Sequence, residues 1–568
     1  MSSHDSQPNG AQAIATAATQ LLQQLKREGI HHVLANAGTD FPSIIEALST
    51  DNGSGSMPTA LAIHHENVAV GMAHGYYLAS GRLAAVMVHV NVGLANCTMG
   101  ALNAASSQVP VLLMSGRTPI TEGGRHGSRL LPIHWGQEMF DQAAMVREAT
   151  KWEYELRYPE QAAAVVHRAV SVATAAPPGP VYLSLPREGL AEPVQIATRP
   201  LVQSTPHAAA PNPIAVQQAA DLLAAAKRPV VVVQRTPVGG DITDLASLAQ
   251  EAALGVCEFW PTANAMATDH PSHIGFDPAA VLKDADVVVT IGAMVPWAPM
   301  QALAPTSKVI AIGLDPLEQT VPFRGFPADV LMAADPSLAI SALRGALQGA
   351  TPEAVLNDRR QFLHDARAAQ AQSLAQQIQA GEQGPMNHAF ISRVISDEAG
   401  PDALVFSELG AIGGALELRA PGRLFWTPLA GGLGWGVPAA LGAKLAQPDR
   451  TVIATVGDGS YLFANPSACH QVAAAHGLPV LTIVFNNGRW QAVKRATLSM
   501  YPDGDAAAQT TMPLTDLGPS PDYCSVAQAH GAYAERVDHP SQLRDAMRRA
   551  LRELRENGRQ VLLDVAIP

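Results

Sequence analysis

The sequence predicts an α/β protein of three tandem domains, each built on a mainly parallel sheet that is flanked by helices. Its 568 residues are several times the usual domain length of about 100–200 residues. Short apolar runs alternate with helical stretches along the chain, which is typical of a parallel sheet covered on both faces. Two stretches rich in alanine and polar residues divide these runs into three groups.

The first group predicts an N-terminal domain over residues 12–185. Helical and strand-like segments alternate in it, and the strand-like segments are short, apolar and bounded by turn residues. We expect helices at 12–28, 67–80 and 93–108, and strands at 31–36, 83–90 and 109–116.

The second and third groups predict two further domains. A segment rich in proline and alanine at 186–213 is typical of a linker, and it leads into a central domain over 210–350. Residues 352–385, dominated by Ala, Gln, Arg and Glu, predict a linking helix before a third domain over 386–568. The central strands are expected at 229–235, 286–293 and 308–315.

Charge and composition limit the partners that the chain can have. A net charge of −12 provides no basic face for nucleic acid or an anionic membrane, so we expect small-molecule partners. The polar N-terminus and the lack of about 18 uninterrupted apolar residues predict neither a signal peptide nor a membrane span. The cysteines are far apart and form no C-x-x-C pair, so neither a disulfide framework nor a zinc site is indicated: Cys97, Cys257, Cys469 and Cys524. We therefore expect a cytoplasmic protein.

The most informative motif lies at 457–487, where a Gly-Asp-Gly-Ser turn follows one apparent strand and an Asn-Asn pair ends the next. The carboxyl ends of neighbouring parallel strands share one edge, so the Asp and Asn side chains should meet there. Such oxygen ligands suit a Mg²⁺ ion that is bound together with a diphosphate. The glycines would allow the diphosphate to approach the backbone N–H groups closely. Either element alone is a common turn, but the pair at this spacing favours a magnesium–diphosphate site.

At this motif the chain resembles the thiamine-diphosphate-dependent decarboxylase and acetolactate synthase family. The resemblance implies that Gly457, Asp458, Gly459 and Ser460 lie at the cofactor diphosphate. It also implies that Mg²⁺ is bound by the side chains of Asp458 and Asn487 and by the backbone carbonyl of Arg489, with Asn486 as the competing ligand.

Two further segments match the family. In 429–446 the resemblance implies that Leu433 holds the cofactor in its bent form, and that backbone groups near Gly431 and Leu433 bind the aminopyrimidine. In 62–82 it implies that Glu66 hydrogen-bonds N1′ of the aminopyrimidine and activates the cofactor, although a lone glutamate at this place is usually a helix-start charge.

Several residues match positions near the reacting carbon. His89 aligns with an active-site histidine of the benzoylformate decarboxylase branch and suits proton transfer, whereas the alternative is a buried structural histidine. Thr39 aligns with the substrate-binding serine of that branch. Asp40 stands where benzaldehyde lyase has a histidine, and Gln137 matches the glutamine of that lyase, while an exposed loop glutamine is the alternative.

A loop at 124–138 and a segment after the metal ligands are further pocket candidates. The loop predicts either a basic, aromatic wall for a substrate or a solvated surface, through Arg125, His126, Arg129, His134 and Trp135. It is also the candidate cover of the site. Trp490 and Gln491 are expected to line the pocket from the other side.

The central domain does not match the FAD-binding members of the family. Segment 231–241 lacks the glycine triplet of those members and 271–281 lacks their Gly-Met-His-Gly element, so we expect no FAD. The absence of G-x-G-x-x-G in this domain also disfavours NAD.

The resemblance implies a ThDP- and Mg²⁺-dependent enzyme that forms or cleaves a C–C bond beside a carbonyl. An acetolactate-synthase-like carboligase or lyase for 2-oxo acids is the first expectation and decarboxylation the second; cleavage of a 2-hydroxy ketone or hydrolysis of a diketone uses the same cofactor residues. A non-catalytic binding homologue is the alternative from another class, disfavoured by Glu66. The resemblance also implies a homodimer or homotetramer, with Glu66 of one subunit reaching the cofactor of another.

Overall fold

The computed structural model describes residues 14–51, 53–195, 201 and 207–568. The chain divides into two compact units. The first comprises the described residues within Met1–Ala69, Arg82–Ala105 and Pro110–Thr205, and the second those within Val70–Gly81, Ser106–Val109 and Pro206–Pro568. Each unit contains at least one parallel sheet flanked by helices, which confirms the predicted α/β class.

The first unit contains a two-stranded and a six-stranded sheet. Strands β1 (Ile14–Thr16) and β8 (Pro193–Gln195) pair in antiparallel fashion. The six-stranded sheet is parallel throughout, with the order β3-β2-β4-β5-β7-β6. Its strands are β2 (His32–Asn36), β3 (Thr59–Ala62), β4 (Ala85–Val88), β5 (Leu112–Arg117), β6 (Glu153–Glu155) and β7 (Val181–Pro186).

The helices of the N-terminal region alternate with these strands. They are α1 (Ala17–Arg27), α2 (Pro42–Thr50), α3 (Glu66–Ser80), α4 (Val90–Ser106), α5 (Ile133–Gly136), α6 (Ala162–Thr174) and α7 (Arg187–Ala191). Buried apolar residues of α1 and α6 share one core with those of β4, β5 and β7. The predicted alternation of helices and strands is therefore present.

Two local predictions need correction. The helix predicted at 12–28 begins only at Ala17, because residues 14–16 form β1 and the Thr16 hydroxyl accepts the backbone N–H of Thr19 as a cap. Residues 12 and 13 lie outside the described residues. The predicted linker at 186–213 contains α7 and β8, while 196–200 and 202–206 lie outside the described residues.

The central sheet has five parallel strands in the order β10-β9-β11-β12-β13. Alternate residues of one strand face two different cores, with Val231 and Val233 in one and Val230 and Val232 in the other, which explains its continuous valine run. The strands are β9 (Pro229–Val233), β10 (Gly255–Glu258), β11 (Val287–Ile291), β12 (Lys308–Gly313) and β13 (Val330–Ala333). The helices are α8 (Pro213–Ala225), α9 (Leu245–Glu251), α10 (Ala279–Leu282) and α11 (Pro336–Leu347).

A long helix, α12 (Glu353–Gln383), follows the central sheet as the sequence predicts. Its Arg359 is buried, and the guanidinium donates hydrogen bonds to the carbonyls of Leu223, Ala226 and Ala252. A cation in this position satisfies carbonyls at helix ends and ties α12 to the central sheet region.

The C-terminal sheet has six parallel strands in the order β15-β14-β16-β17-β19-β18. Its strands are β14 (Leu404–Glu408), β15 (Leu424–Trp426), β16 (Val452–Gly457), β17 (Leu481–Asn486), β18 (Tyr533–Val537) and β19 (Val561–Ala566). The helices are α13 (His388–Ala399), α14 (Gly436–Ala446), α15 (Asp458–Phe463), α16 (Pro466–His476), α17 (Gln491–Met500), α18 (Tyr523–Gln528) and α19 (Pro540–Arg555).

The register of this sheet brings the two halves of the main motif together. Strands β16 and β17 are neighbours, and Gly457 lies opposite Phe485. Asp458 and Asn487 therefore follow adjacent strands at the same edge. The predicted domain boundaries 12–185, 210–350 and 386–568 stay predictions. Within the described residues, no helix has both the length and the apolarity needed to cross a membrane.

Candidate active site

Glu66 is a buried carboxylate held by two amides. It begins α3, and its Oε1 accepts a hydrogen bond of 2.8 Å from the Asn36 amide at the end of β2. Its Oε2 accepts one of 2.9 Å from the Asn96 amide on α4. Among the described residues, no cationic side chain forms an ion pair with it. Neutral donors thus fix the carboxylate and leave its charge uncompensated.

A glycine makes room for this carboxylate. A Cβ atom at Gly93 would lie 3.2 Å from Oε1 of Glu66 and 3.0 Å from Cβ of Val88. Gly93 lies in the first turn of α4, so the helix can approach Glu66 closely only where no side chain intervenes. The close approach places Asn96, one turn further along α4, within hydrogen-bonding reach of Glu66.

His89 joins two of the other predicted residues. It follows β4, and its Nδ1 lies 2.5 Å from Oδ1 of Asp40. Its Nε2 lies 3.2 Å from Nε2 of Gln137. The hydrogen bond to Asp40 raises the pKa of His89; burial opposes this shift, while the charges of Asp40 and Glu66 support it. The structure therefore assembles His89, Asp40 and Gln137, which the sequence singled out separately.

Asp40 and Thr39 are placed differently although they are neighbours. Asp40 is buried, and its carboxylate faces His89, so it presents no oxygen to solvent as a direct pocket residue would. Thr39 is exposed at the end of the loop after β2. The resemblance suggested pocket roles for both; the structure shows Asp40 engaged by His89 and Thr39 exposed, and a contact of either residue with substrate stays a prediction.

The loop at 124–138 is fixed largely by its own contacts. The Arg129 guanidinium pairs with Glu138 and lies 5.3 Å from the centre of the Trp135 ring, whose indole N–H donates to Glu122. His134 is buried and its Nδ1 accepts the backbone N–H of Leu130 at 3.0 Å, so it does not contribute to a basic wall.

Two basic side chains of this loop remain at the surface. His126 is exposed, and the exposed Arg125 lies 3.3 Å from Glu192. The loop thus exposes most of its side chains in the single chain, and the choice between a substrate wall and a solvated surface stays a prediction.

Asp458 forms the centre of the second half-site. It is buried at the start of α15, and its carboxylate accepts the backbone N–H groups of Gly459 at 2.8 Å and Gly488 at 2.7 Å. Burial raises its pKa, and backbone N–H groups from Gly459 and the 487–489 turn lower it again. No cationic side chain among the described residues pairs with it. A buried carboxylate without such a partner is suited to a metal cation.

The two asparagines of the Asn-Asn pair have different roles. Asn486 is buried, and its amide donates to Asp564 at 2.9 Å, so its side chain is used to hold the strand end. Asn487 is half-buried, and its Oδ1 accepts only the backbone N–H of Arg489 at 3.1 Å. The carbonyl of Arg489 accepts the N–H of Gln491 at 3.0 Å and keeps a second lone pair. This arrangement favours Asn487 over Asn486 as the ligand.

Segment 515–517 holds the turn at residues 487–490 in place. The backbone N–H of Trp490 donates to the Thr515 carbonyl at 2.7 Å, and that of Leu517 donates to the Gly488 carbonyl at 2.8 Å. Sequence reasoning did not identify this support, because the two segments are connected by α17 and a long irregular stretch.

Open space lies above three glycines of this half-site. A Cβ atom at Gly431 or Gly488 would meet no heavy atom within 4 Å, and one at Gly457 would meet only Oγ of Ser460 at 4.0 Å. Leu433, two residues after Gly431, is half-buried. Both the free space and the uncompensated Asp458 carboxylate fit a diphosphate with Mg²⁺.

The structure adds Glu408, which the sequence did not reveal. This glutamate ends β14, is buried, and accepts backbone N–H groups of Gly434 at 2.7 Å and Gly436 at 2.6 Å. Burial raises its pKa to about 7, although hydrogen bonds from Gly436, Gly434 and Ser460 oppose the shift. Glu408 therefore fixes the start of α14 beside the glycine-rich turn.

Trp490 and Gln491 are only partly placed as expected. A Cβ atom at Gly459 would lie 2.1 Å from the Trp490 ring, so the indole packs directly on the Gly-Asp-Gly turn rather than facing it across a pocket. Gln491 is exposed at the start of α17. Among the described residues, no group of three or more His, Cys, Asp and Glu side chains could hold a metal, and the proposed ligand set contains one carboxylate.

Comparison with known proteins identifies all three regions. The N-terminal TPP binding domain of thiamine pyrophosphate enzymes matches residues 15–145, the central domain matches 216–343, and the C-terminal TPP binding domain matches 410–565. The order of the three matches is the order of the predicted domains.

Individual relatives span the whole chain. Benzoylformate decarboxylase of Pseudomonas aeruginosa is 29% identical over 560 residues, covering 95% of this chain and 97% of the relative. The large subunit of acetolactate synthase isozyme 3 of Escherichia coli is 25% identical over 582 residues, covering 97% and 95%. The crystal structure of benzoylformate decarboxylase from Polynucleobacter necessarius has a TM-score of 0.76 at 20% identity, covering 97% and 98%, and supports the fold. Since the N-terminal, central and C-terminal domains of one enzyme family follow each other in this single chain, it belongs to the thiamine pyrophosphate enzymes.

Proposed function

We propose that the protein uses thiamine diphosphate and Mg²⁺ to decarboxylate a 2-oxo acid. The observation that carries the proposal is that Glu66 and Asp458 are both buried, both held by neutral donors, and both without a cationic partner among the described residues. The Glu66 carboxylate is suited to hydrogen-bond a neutral pyrimidine nitrogen that exchanges a proton. The Asp458 carboxylate is suited to bind a divalent cation.

The residues that would hold the cofactor lie in two half-sites. Asp458, the Asn487 amide oxygen and the Arg489 carbonyl would bind Mg²⁺, while the space above Gly431 and Gly457 would admit the cofactor. Leu433 would support its bent form. When bound, thiamine diphosphate supplies an electron sink for cleavage or formation of the C–C bond beside a carbonyl.

Glu66 and His89 would control the protons. Glu66 would hydrogen-bond N1′ of the aminopyrimidine and hold a proton there, with Asn36 and Asn96 keeping the carboxylate in place. His89, whose pKa is raised by the hydrogen bond to Asp40, would give a proton to the substrate carbon that loses CO₂. Gln137 would orient His89 or a substrate oxygen.

A proton donor near the reacting carbon favours decarboxylation, which needs one proton at the carbon that loses CO₂. The benzoylformate decarboxylase relative of Pseudomonas aeruginosa supports an aryl 2-oxo acid as substrate. Carboligation of the acetolactate type is the second candidate, since the acetolactate synthase relative also spans 97% of the chain. The two reactions differ in whether a proton or a second carbonyl compound meets the same carbon.

The working protein would be a homodimer or a homotetramer. Large apolar side chains are exposed in the single chain, including Phe140 and Leu514, and such side chains are typical of surfaces that another subunit covers. In the family arrangement, Glu66 of one subunit serves the cofactor held around Asp458 of another. The dimer is therefore needed for a complete site, and its mass in solution tests it.

No FAD is proposed for the central domain. Buried Arg235, at the carboxyl edge of the central sheet, pairs with Glu318 at 2.6 Å and donates to the Ser106 carbonyl at 2.9 Å. This ion pair occupies the edge at which open α/β sheets bind nucleotides. Titration with FAD and with ADP tests the expectation.

The test is turnover by the purified protein with thiamine diphosphate, Mg²⁺ and a panel of 2-oxo acids and 2-hydroxy ketones. Mass spectrometry would follow CO₂, aldehydes and coupled products. Glu66→Gln should abolish turnover, whereas Glu160→Gln, which removes an exposed carboxylate of the same unit, should not. An aldehyde product supports decarboxylation and a coupled product supports carboligation. Absence of turnover, together with no exchange of the cofactor C2 proton, contradicts the proposal and favours a binding homologue.

A further inference from the structure

We propose that Asp40 is a positioning residue for His89, which it holds as a proton donor with Nδ1 facing the carboxylate and Nε2 offering the proton. The inference rests on the proposed function, in which His89 protonates the substrate carbon. It assigns Asp40 a role different from the substrate contact that alignment suggested.

The geometry around Asp40 supports this role. The carboxylate is buried, with Oδ1 lying 2.5 Å from Nδ1 of His89 and Oδ2 accepting the backbone N–H of Val90 at 3.3 Å. Both oxygens therefore contact the same short segment, His89 and Val90. A carboxylate that is used in this way orients a histidine ring rather than a substrate.

Two glycines make room for the pair. A Cβ atom at Gly38 would lie 2.1 Å from Nδ1 of His89, and one at Gly116 would lie 1.6 Å from Oδ2 of Asp40. Both distances are far below van der Waals contact, so a side chain at either glycine would displace the His89 ring or the Asp40 carboxylate. The space for the Asp40–His89 pair is thus built into β5 and the loop after β2.

The backbone at the pair is also unusual. Val90 has φ of 30°, a value that β-branched residues rarely adopt. The Asp40 carboxylate accepts the N–H of this same residue. The hydrogen bond therefore helps to hold the sharp turn from β4 into α4, which directs the His89 side chain toward Gln137.

The charged groups that face His89 favour its protonated form. Asp40 contacts the ring from the loop after β2, and Glu66 acts from the start of α3; both raise the pKa of His89. His134, on the loop that also carries Gln137, interacts with His89 as a like charge, but burial lowers its own pKa and so favours its neutral form. Carboxylates therefore dominate the surroundings of His89.

Gln137 can accompany either protonation state. Its Nε2 lies 3.2 Å from Nε2 of His89, and its Oε1 is buried without a hydrogen-bond partner among the described residues. Rotating the amide by 180° exchanges the two atoms within the same shape. Oε1 would then accept the Nε2–H of protonated His89 before the proton is transferred, and Nε2 would donate to the neutral ring after transfer.

The proton balance is simple. A 2-oxo acid loses CO₂ and receives one proton at the same carbon to give an aldehyde. The proton comes from Nε2 of His89, which becomes neutral and keeps its Nδ1 proton on the hydrogen bond to Asp40. Solvent then restores the Nε2 proton.

The first test measures protonation of His89 directly by NMR in the cofactor-free protein, with ¹⁵N-labelled histidine and His89→Asn to assign its signals among the 19 histidines. His89 should titrate above its ordinary pKa of 6.5 and keep the remaining proton on Nδ1 above the transition. Asp40→Asn should lower the midpoint by about one pH unit or more. The matched control Asp141→Asn removes an exposed carboxylate of the same unit and should leave it unchanged.

A wild-type midpoint at or below 6.5, or a proton on Nε2 in the neutral ring, overturns the proposal without any variant at position 40. An unchanged midpoint in folded Asp40→Asn overturns it as well. These readouts need no substrate, so they separate this proposal from the proposed reaction.

A second test uses activity. In Asp40→Asn the alkaline limb of the kcat profile should shift to lower pH by about the same amount as the NMR midpoint, with KM much less affected. A uniform loss of kcat at all pH values, without a shift of the limb, would indicate a structural role and overturn the positioning role.

Discussion

The open space above Gly457 leads to a prediction that separates cofactor binding from folding. Gly457 ends β16 with φ of −68° and ψ of 158°, a conformation that alanine adopts freely. A Cβ atom there would have only Oγ of Ser460 near it, at 4.0 Å. Gly457→Ala should therefore fold normally but place a methyl group where the diphosphate of the cofactor would lie.

The size of the effect follows from these contacts. In the cofactor-free protein the change should be neutral or stabilise by about 0.4–1 kcal/mol, because alanine restricts the unfolded chain. An extra methyl group in an occupied, close-packed site costs about 1–3 kcal/mol. Since about 1.4 kcal/mol corresponds to a tenfold change, thiamine diphosphate should bind about 5- to 140-fold more weakly.

The assay is calorimetric titration of thiamine diphosphate at saturating Mg²⁺, together with thermal unfolding of the cofactor-free protein. Gly345→Ala is the matched control, because a Cβ atom there meets nothing within 4 Å and the residue lies in α11, far along the chain from the motif. Gly459→Ala is the opposite case, since its Cβ atom would lie 2.1 Å from the Trp490 ring and should destabilise the fold itself.

One result would exclude this position for the diphosphate. If Gly457→Ala binds the cofactor as tightly as the wild type while folding normally, the diphosphate does not lie over Gly457. The same affinity loss in Gly345→Ala would mean that the assay reports stability rather than contact with the cofactor.

Three further predictions concern carboxylates. Glu66→Gln should lower kcat by about 100-fold or more with little change in the melting temperature, measured by turnover and calorimetry; unchanged turnover would remove Glu66 from catalysis. Asp458→Asn should weaken Mg²⁺ binding by at least about 100-fold, because changing residues that only support metal ligands already lowers metal affinity by about 10- to 100-fold. Retained Mg²⁺ affinity in a metal titration would argue against the proposed ligand set. The pKa of Glu408 is raised from 4.5 to about 7 in the folded protein. Its contribution to the free energy of unfolding is therefore complete below pH 4.5 and is lost as the pH rises through 7. The free energy of unfolding from urea titrations should fall over this range by up to roughly 1.4 kcal/mol per pH unit, and Glu408→Gln should reduce the slope; an equal slope in both proteins would contradict the assignment.

The alternation of apolar and helical segments was enough to predict the fold class. The order of the strand-like segments was enough to predict that the two halves of the motif at 457–487 lie together. The valine run of β9 and the alternating segments predicted parallel sheets, and the rule that ligands bind at carboxyl strand ends placed Asp458 and Asn487 together. The alanine-rich start of the chain misled the helix prediction, because a short antiparallel pairing with β8 determines residues 14–16. Such a pairing depends on a distant segment that local propensity does not contain.

The partners of the site residues were harder to predict. Asn36 and Asn96 contact Glu66 across 30 residues in either direction along the chain, and no periodic pattern connects them. Asp40 and His89 were both identified, but from separate alignments that suggested separate roles. Their contact depends on Gly38 and Gly116, whose importance becomes visible only when the neighbouring strands are in place.

The way in which the carboxylates of Glu66 and Asp458 are held has a physical consequence for the proposed chemistry. A cationic side chain beside Glu66 or Asp458 would stabilise the carboxylate, but it would also compete with the cofactor nitrogen or the metal for that charge. Amide and backbone N–H donors fix the position of each oxygen and carry no full charge. His89 is the contrasting case, because its proposed role as a proton donor would require a charged form and its close partner is the carboxylate of Asp40. The chain thus places neutral donors around the two carboxylates that are proposed to act on the cofactor and the metal, and a carboxylate beside the histidine that is proposed to donate a proton.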